Sequence, residues 1–167
     1  IAANAQNKKG KSDDLGRIIL NGYVSDQAES IPSIAKKMLK NKMNQIATKN
    51  GMGGSSLNPR FIITPNISVL TKDITPTAPP MIAITLDVTL YVGDGIEGTL
   101  FASESIEVKG VGTNETKAYI AAIKRIKPGA PAVQDCIRKG KEKIIEYYNS
   151  KCDFIIKEAQ ALEGQQE

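Results

Sequence analysis

The chain has 167 residues, 41% of them hydrophobic and 24% charged, which suits one globular domain and leaves little room for a second. Two cysteines, no histidine, no tryptophan and 5% aromatics exclude a disulfide-dense scaffold, Cys-rich or HExxH zinc sites, His-based nucleophile pairs and an imidazole switch, and are thin for base stacking. The net charge of +4 is uneven, with nine Lys/Arg against four Asp/Glu in residues 1–50, three against six in 51–110 and ten against eight in 111–167; this balance suits association with itself or with acidic surfaces and does not by itself identify nucleic acid.

No stretch approaches 18 apolar residues, so no transmembrane segment is expected. Ala3-Asn4-Ala5 before Gln6 has the A-x-A form that ends a secretory signal peptide, and Ile1 suggests a piece of a longer chain. Residues 1–16 form an extended N-terminal tail in this reading. Ile1 to Asp14 is polar and without period, so order there is expected only along a neighbouring subunit or on a sheet edge.

The α+β domain is expected over 17–130. Arg17 to Val24 has the β-branched content of a short strand. A helix follows, capped by Ser30 with Pro32 in its first turn. Ile31, Ile34, Ala35, Met38, Leu39, Met43, Ile46 and Ala47 give it a helical stripe, and Asn50-Gly51 stops it. The next strand alternates Phe61, Ile63, Ile67 and Val69 with polar residues, and Pro65 suits an edge or a bulge. Lys72 to Pro80, with three prolines, is expected to leave the ladder. Ile82, Ile84, Leu86, Val88, Leu90 and Val92 then alternate cleanly, and Gly93-Asp94-Gly95 turns the chain into a hairpin. The return strand, Thr99 to Lys109, points Leu100, Ala102, Ile106 and Val108 inward. Glu104 breaks that row, as a β-bulge or register shift would, or as a half-buried carboxylate paired to a Lys or Arg or turned into an interface.

Gly110-Val111-Gly112 leads into a helix capped by Thr113 or Asn114, burying Ala118, Tyr119, Ala122, Ile123 and Ile126. After Lys127-Pro128-Gly129-Ala130, a long C-terminal helix occupies 131–167. Its stripe is Val133, Ile137, Ile144, Tyr148, Cys152, Ile155, Ala159 and Leu162. From Pro131 to Leu162 it would span roughly 48 Å, against a domain diameter of about 40 Å. Its second half is then expected to meet a neighbouring subunit or a helical region beyond residue 167, the alternative being a break near Asn149-Ser150 with the tail folded back on the domain. The candidate interface is Tyr148, Cys152, Ile155, Ile156, Ala159 and Leu162. The predicted order is β-α-β-β-β-α-α, a mostly antiparallel sheet with helices on one face.

Chemistry-bearing motifs are sparse. Gly51 to Ser56 is glycine-rich but follows a helix, so it meets the carbonyl end and not the amide end that phosphates use. Gly110-x-Gly112 lacks the third glycine and the parallel βαβ unit of a dinucleotide site; its glycines instead let the chain turn sharply and let the helix pack close to the strand end. The lysine clusters, Lys36, Lys37, Lys40 and Lys42, and Arg138, Lys139, Lys141 and Lys143, read first as solvated helix faces. Cys136 and Cys152 are sixteen residues apart on one helix, roughly 24 Å, too far to bridge. No catalytic, metal-binding or cofactor-binding residue is assigned.

Element order, Arg60-Phe61-Ile62-Ile63, and Gly110-Val111-Gly112 followed by Ala118-Tyr119-Ile120-Ala121-Ala122 resemble the curli-secretion lipoprotein superfamily, which includes the CsgG channel, the LpoB synthase activators and the amino-terminal domain of TolB. The likeness covers roughly residues 17–126. It implies a non-enzymatic structural or assembly module of a multisubunit, ring-like protein complex in the bacterial envelope, a homo-oligomer without a small-molecule substrate. This chain departs from the pattern in lacking a lipobox cysteine near its start and in its long last helix. Two alternatives stand beside that reading: a ring, tail or connector protein of a bacteriophage virion, and a nucleic-acid-binding module using the lysine-rich faces.

Overall fold

A computed structural model describes residues 18–26, 30–54 and 60–165. The expectation for the N-terminal tail lies outside the described residues. Within the described residues, four strands and three helices follow in the expected order: β1 (Leu20–Gly22), α1 (Ser33–Lys49), β2 (Phe61–Thr75), β3 (Met81–Asp94), β4 (Leu100–Gly112), α2 (Glu115–Lys124) and α3 (Pro131–Gly164). The sheet order is β1-β2-β3-β4, with β1 parallel to β2 and the other neighbours antiparallel.

Strand β3 is the spine. Its even residues from Ile84 to Val92 are buried and its odd ones half-exposed, the period of a sheet with one covered face. All three helices contribute to the core on that face: Leu39, Met43 and Ile46 from α1, Tyr119 and Ile123 from α2, Val133, Ile137 and Ile144 from α3. Pro65 sits where β2 has outrun its three-residue neighbour β1, so its missing N–H leaves no ladder bond open.

Helix α2 lies unusually close to β4. A Cβ built on Gly110 would stand 2.2 Å from the carbonyl oxygen of Ala118 and 2.3 Å from the amide nitrogen of Ala122. One on Gly112 would stand 2.5 Å from Ala118 N. The G-x-G pair is therefore a packing device. Asn114 caps the helix by accepting from the Lys117 amide at 2.9 Å.

Several local expectations are corrected. Pro32, not Ser30, is the N-cap of α1, and Ile34 is 60% exposed because it falls off the buried arc of Ala35, Leu39 and Met43. Lys72 to Thr75 stay in the ladder, paired with Ile84 to Met81; the prolines begin only at Pro76. The β2 irregularity falls between Val69 and Thr71. On β4 the bulge is at Phe101 and not at Glu104. Val92 faces Ala102 while Gly93 faces Leu100, so Phe101 turns in and is buried whereas Leu100 is 56% exposed. Register is regular through Glu104, which stands half-buried opposite Leu90, with its charge felt by Lys139 and Cys136 of α3.

Candidate functional site

The candidate site is the C-terminal half of α3, and its root is set where β2, β3 and β4 meet the β3–β4 turn. Phe61 opens β2 and Phe101 fills the β4 bulge, bringing their rings to 6.0 Å between centroids. Tyr148 packs edge-on against Phe61 at 5.6 Å, and Tyr147 against Phe101 at 5.6 Å. Such pairs contribute about 0.5–1.5 kcal/mol each beyond the area they bury.

Charge completes the root. Asp94 ends β3 with its side chain out of solvent. Its Oδ1 accepts from the amides of Ile96 at 2.8 Å and Glu97 at 3.0 Å, and its Oδ2 from Arg60 Nε at 3.0 Å. Arg60 Nη2 also reaches Glu97 Oε1 at 3.3 Å. Glu97, held on the turn, accepts from Lys151 Nζ at 2.8 Å and from the Tyr147 hydroxyl. Burial pushes the Asp94 carboxyl up, but the two amides and Arg60 outweigh it and hold the group below its ordinary value. Lys151 and Tyr147 hold Glu97 below its usual value, and Glu97 raises Lys151.

Beyond Lys151 the helix leaves the domain. It continues unbroken to Gly164, and residues 152 to 165 are all exposed. Ile155 is 61% exposed, Ile156 54% and Leu162 64%. Of the six candidate interface residues, Tyr148 belongs partly to the root. Cys152, Ile155, Ile156, Ala159 and Leu162 stand on the free segment, which is about 20 Å long at 1.5 Å per residue. Phe154, 61% exposed, also belongs there and was missed because it lies off the counted stripe. The anchoring set of Arg60, Asp94, Glu97, Tyr147 and Lys151 was missed as well. Its members are dispersed over ninety residues of chain, and the only local signal is the Asp94-Gly95 turn.

The other candidates resolve into structure. Arg138 pairs with Asp135 and with Glu142, and Lys139 with Asp135; two members of the second basic cluster, Arg138 and Lys139, are thus paired along their own helix. Lys36 bonds the Asp26 carbonyl at 3.2 Å. In the glycine-rich loop Met52 is buried, accepts from Leu20 N and donates to Ala47 O, so Gly51 to Gly54 form a packed turn rather than a free one. Among the described residues no group of three or more His, Cys, Asp or Glu is placed to hold a metal, and no helix is long and apolar enough to cross a membrane.

Both thiols are free; Cys136 is buried and Cys152 exposed. Burial above all, then the Glu104 charge, pushes the Cys136 thiol up to about 11. A thiol reagent at pH 8 should therefore label one site per native chain quickly, at Cys152, and the second only on unfolding. Rapid labelling of both in the native chain would contradict the packing of α3 on β4.

No family model and no curated protein matches the chain. Solved structures overlap it loosely. A candidate lipoprotein from Caulobacter crescentus CB15 shares 12% identity and a TM-score of 0.37, with 83% of this chain and 95% of that one covered. A minor lipoprotein from Acinetobacter baumannii shares 13% and 0.39, covering 76% and 91%. A protein of family DUF330 from Xanthomonas campestris shares 12% and 0.36, covering 70% and 65%. None of the three is described as a member of the curli-secretion superfamily, and overlaps this loose carry neither fold nor function across.

Proposed function

We propose that this chain is a non-catalytic assembly module that joins a multisubunit, ring-like protein complex through the free half of α3. One observation supports the reading above the others. An apolar stripe is maintained for about 20 Å past the last residue that touches the domain, and leaving it wet would forfeit about 25 cal/mol for each Å² it could bury. The root supports it too, since the ring and ion-pair contacts aim the free segment instead of letting it fray. The bacterial envelope is the proposed setting, on the resemblance carried by Arg60-Phe61-Ile62-Ile63 and the glycine entry to α2. No structural observation favours the virion, and the ion pairs that Arg138 and Lys139 make along their own helix disfavour phosphate binding there.

Light scattering on the full chain tests this. The wild type should run as an oligomer, and Ile155→Asp with Leu162→Asp should run as a monomer with an unchanged melting midpoint, because neither residue is buried in the monomer. A strict monomer at high wild-type concentration, or a collapse of monomer stability in the double variant, would overturn the proposal. Assembly that dissolved steeply with rising salt would instead point to charge pairing.

A further inference from the structure

A second apolar surface lies uncovered at the opposite end of the sheet. On the helix-covered side of the β2–β3 ribbon, the ladder sets Ile74 beside Ile82 and Val69 beside Leu86. Ile82 and Ile67 are partly packed on the core, but Val69 is 44% exposed and Ile74 72%. The helices stop short of this corner. The nearest is α2, whose first-turn Glu115 pairs with Lys72 at 2.8 Å. A sheet face that is apolar and lacks its helix is half of a layer pair. The free part of α3 is a helix with an apolar stripe that lacks its sheet.

The two halves cannot meet within one chain. Helix α3 passes Val92 at Gly140 and reaches Phe61, Phe101 and Glu97 at the β3–β4 turn. It continues away from there, while Ile74 and Ile82 lie about 40 Å back along β3. We propose that the occupant of this sheet face is the free α3 segment of a second copy of the chain, docked head to tail. The inference rests on the docking role assigned above to α3 and names its partner.

Two further points select this arrangement over a symmetric pairing of α3 with itself. A free segment of about 20 Å holds fewer than two full heptads, short of the three or four over which helices pair through an a/d seam, and such a pair would leave Val69 and Ile74 wet. The charges also agree. Lys72 stands between Val69 and Ile74 on the sheet face. Glu115 takes one of its three donors while the lysine side chain stays 45% exposed, so it remains open to a second carboxylate. On the free helix Asp153, Glu158 and Glu163 outnumber Lys157. A head-to-tail contact uses two different patches, so each copy offers one of each and the chain of contacts closes into a ring when the rotation allows.

Mixing decides it. One full-length variant carries Ile155→Asp and Leu162→Asp in the helix, the other Val69→Thr and Ile74→Asp on the sheet face. The substituted residues are exposed, so both should keep the wild-type melting midpoint. Each alone should be monomeric by native mass spectrometry. With one variant isotope-labelled, the mixture should form a dimer containing one copy of each and nothing larger, since only one intact helix and one intact face remain in register. A sheet-face variant that assembles like the wild type, or a mixture that stays monomeric, overturns the head-to-tail contact. In the first case the assembly role of α3 survives with a different occupant; a monomeric wild type sinks both. Should the sheet-face pair unfold the chain, Ile74→Asp alone replaces it in the same mixture.

Discussion

Gly110→Ala should lower stability by about 3 kcal/mol, the upper end of what overpacking costs. The new methyl would enter the backbone of α2, 2.2 Å from Ala118 O and 2.3 Å from Ala122 N, where an ordinary contact is 3.4 Å or more. Flexible side chains swing aside, but a helix backbone can only move as a unit. Shifting α2 outward by more than an ångström would loosen the packing of Ala118, Tyr119, Ala122 and Ile123, all buried. For a domain of this size the melting midpoint should fall by about 10 °C. Gly129→Ala is the control, because its methyl would meet nothing nearer than Lys49 Cε at 3.6 Å. Equal midpoints for the two variants would mean that α2 does not lie on β4 as described.

That close approach was legible in the sequence, and the reason is local. Glycines two apart on one strand face, followed by Asn114 and an alanine-rich helix, form a signal contained within a dozen residues. The alternation of β3 and the stripe of α1 are legible for the same reason, since period reports the buried face. What failed was non-local or offset by one residue. The bulge at Phe101 moves the inward row by one position, and Leu100 looks as apolar as Phe101. Three prolines concealed that Lys72 to Thr75 precede them and are free to pair. The anchoring set could not be read at all, because nothing in the neighbourhood of Glu97 announces Lys151, fifty-four positions away. The stripe on α3 was visible throughout. Its missing partner surface was not, because Val69 and Ile74 differ from core strand residues only in having no helix above them.

Asp94→Ala should cost about 3 kcal/mol and remove an acid-sensitive component of stability. The carboxylate answers three donors at once: the Ile96 and Glu97 amides and Arg60 Nε. Its loss leaves the turn amides without their acceptor, at about 1–3 kcal/mol for each that stays dry, and frees Arg60, which is partly exposed and recovers some hydration. Asp94→Asn keeps an acceptor for the amides and loses the charge, so it should fall between wild type and Asp94→Ala. The pH dependence follows from the direction of the shift. Folding holds this carboxyl below its ordinary value of 3.8, so the unfolded chain takes up the proton first as pH falls. The contribution is complete above about pH 4–5 and is lost progressively as pH drops through the folded value. Urea midpoints measured from pH 6 to pH 2.5 should therefore decline more steeply for wild type than for Asp94→Asn, and parallel curves would rule out a native-state role for the charge. The same substitution reaches the docking helix. Asp94 fixes the turn that presents Glu97, and Glu97 holds Tyr147 and Lys151 at the root of the free segment. A loosened root lets that segment sample more directions, and each must be surrendered on docking. Asp94→Ala should thus weaken assembly at chain concentrations and temperatures where the monomer is still fully folded, an effect that Gly110→Ala, which strains α2 instead, should not share.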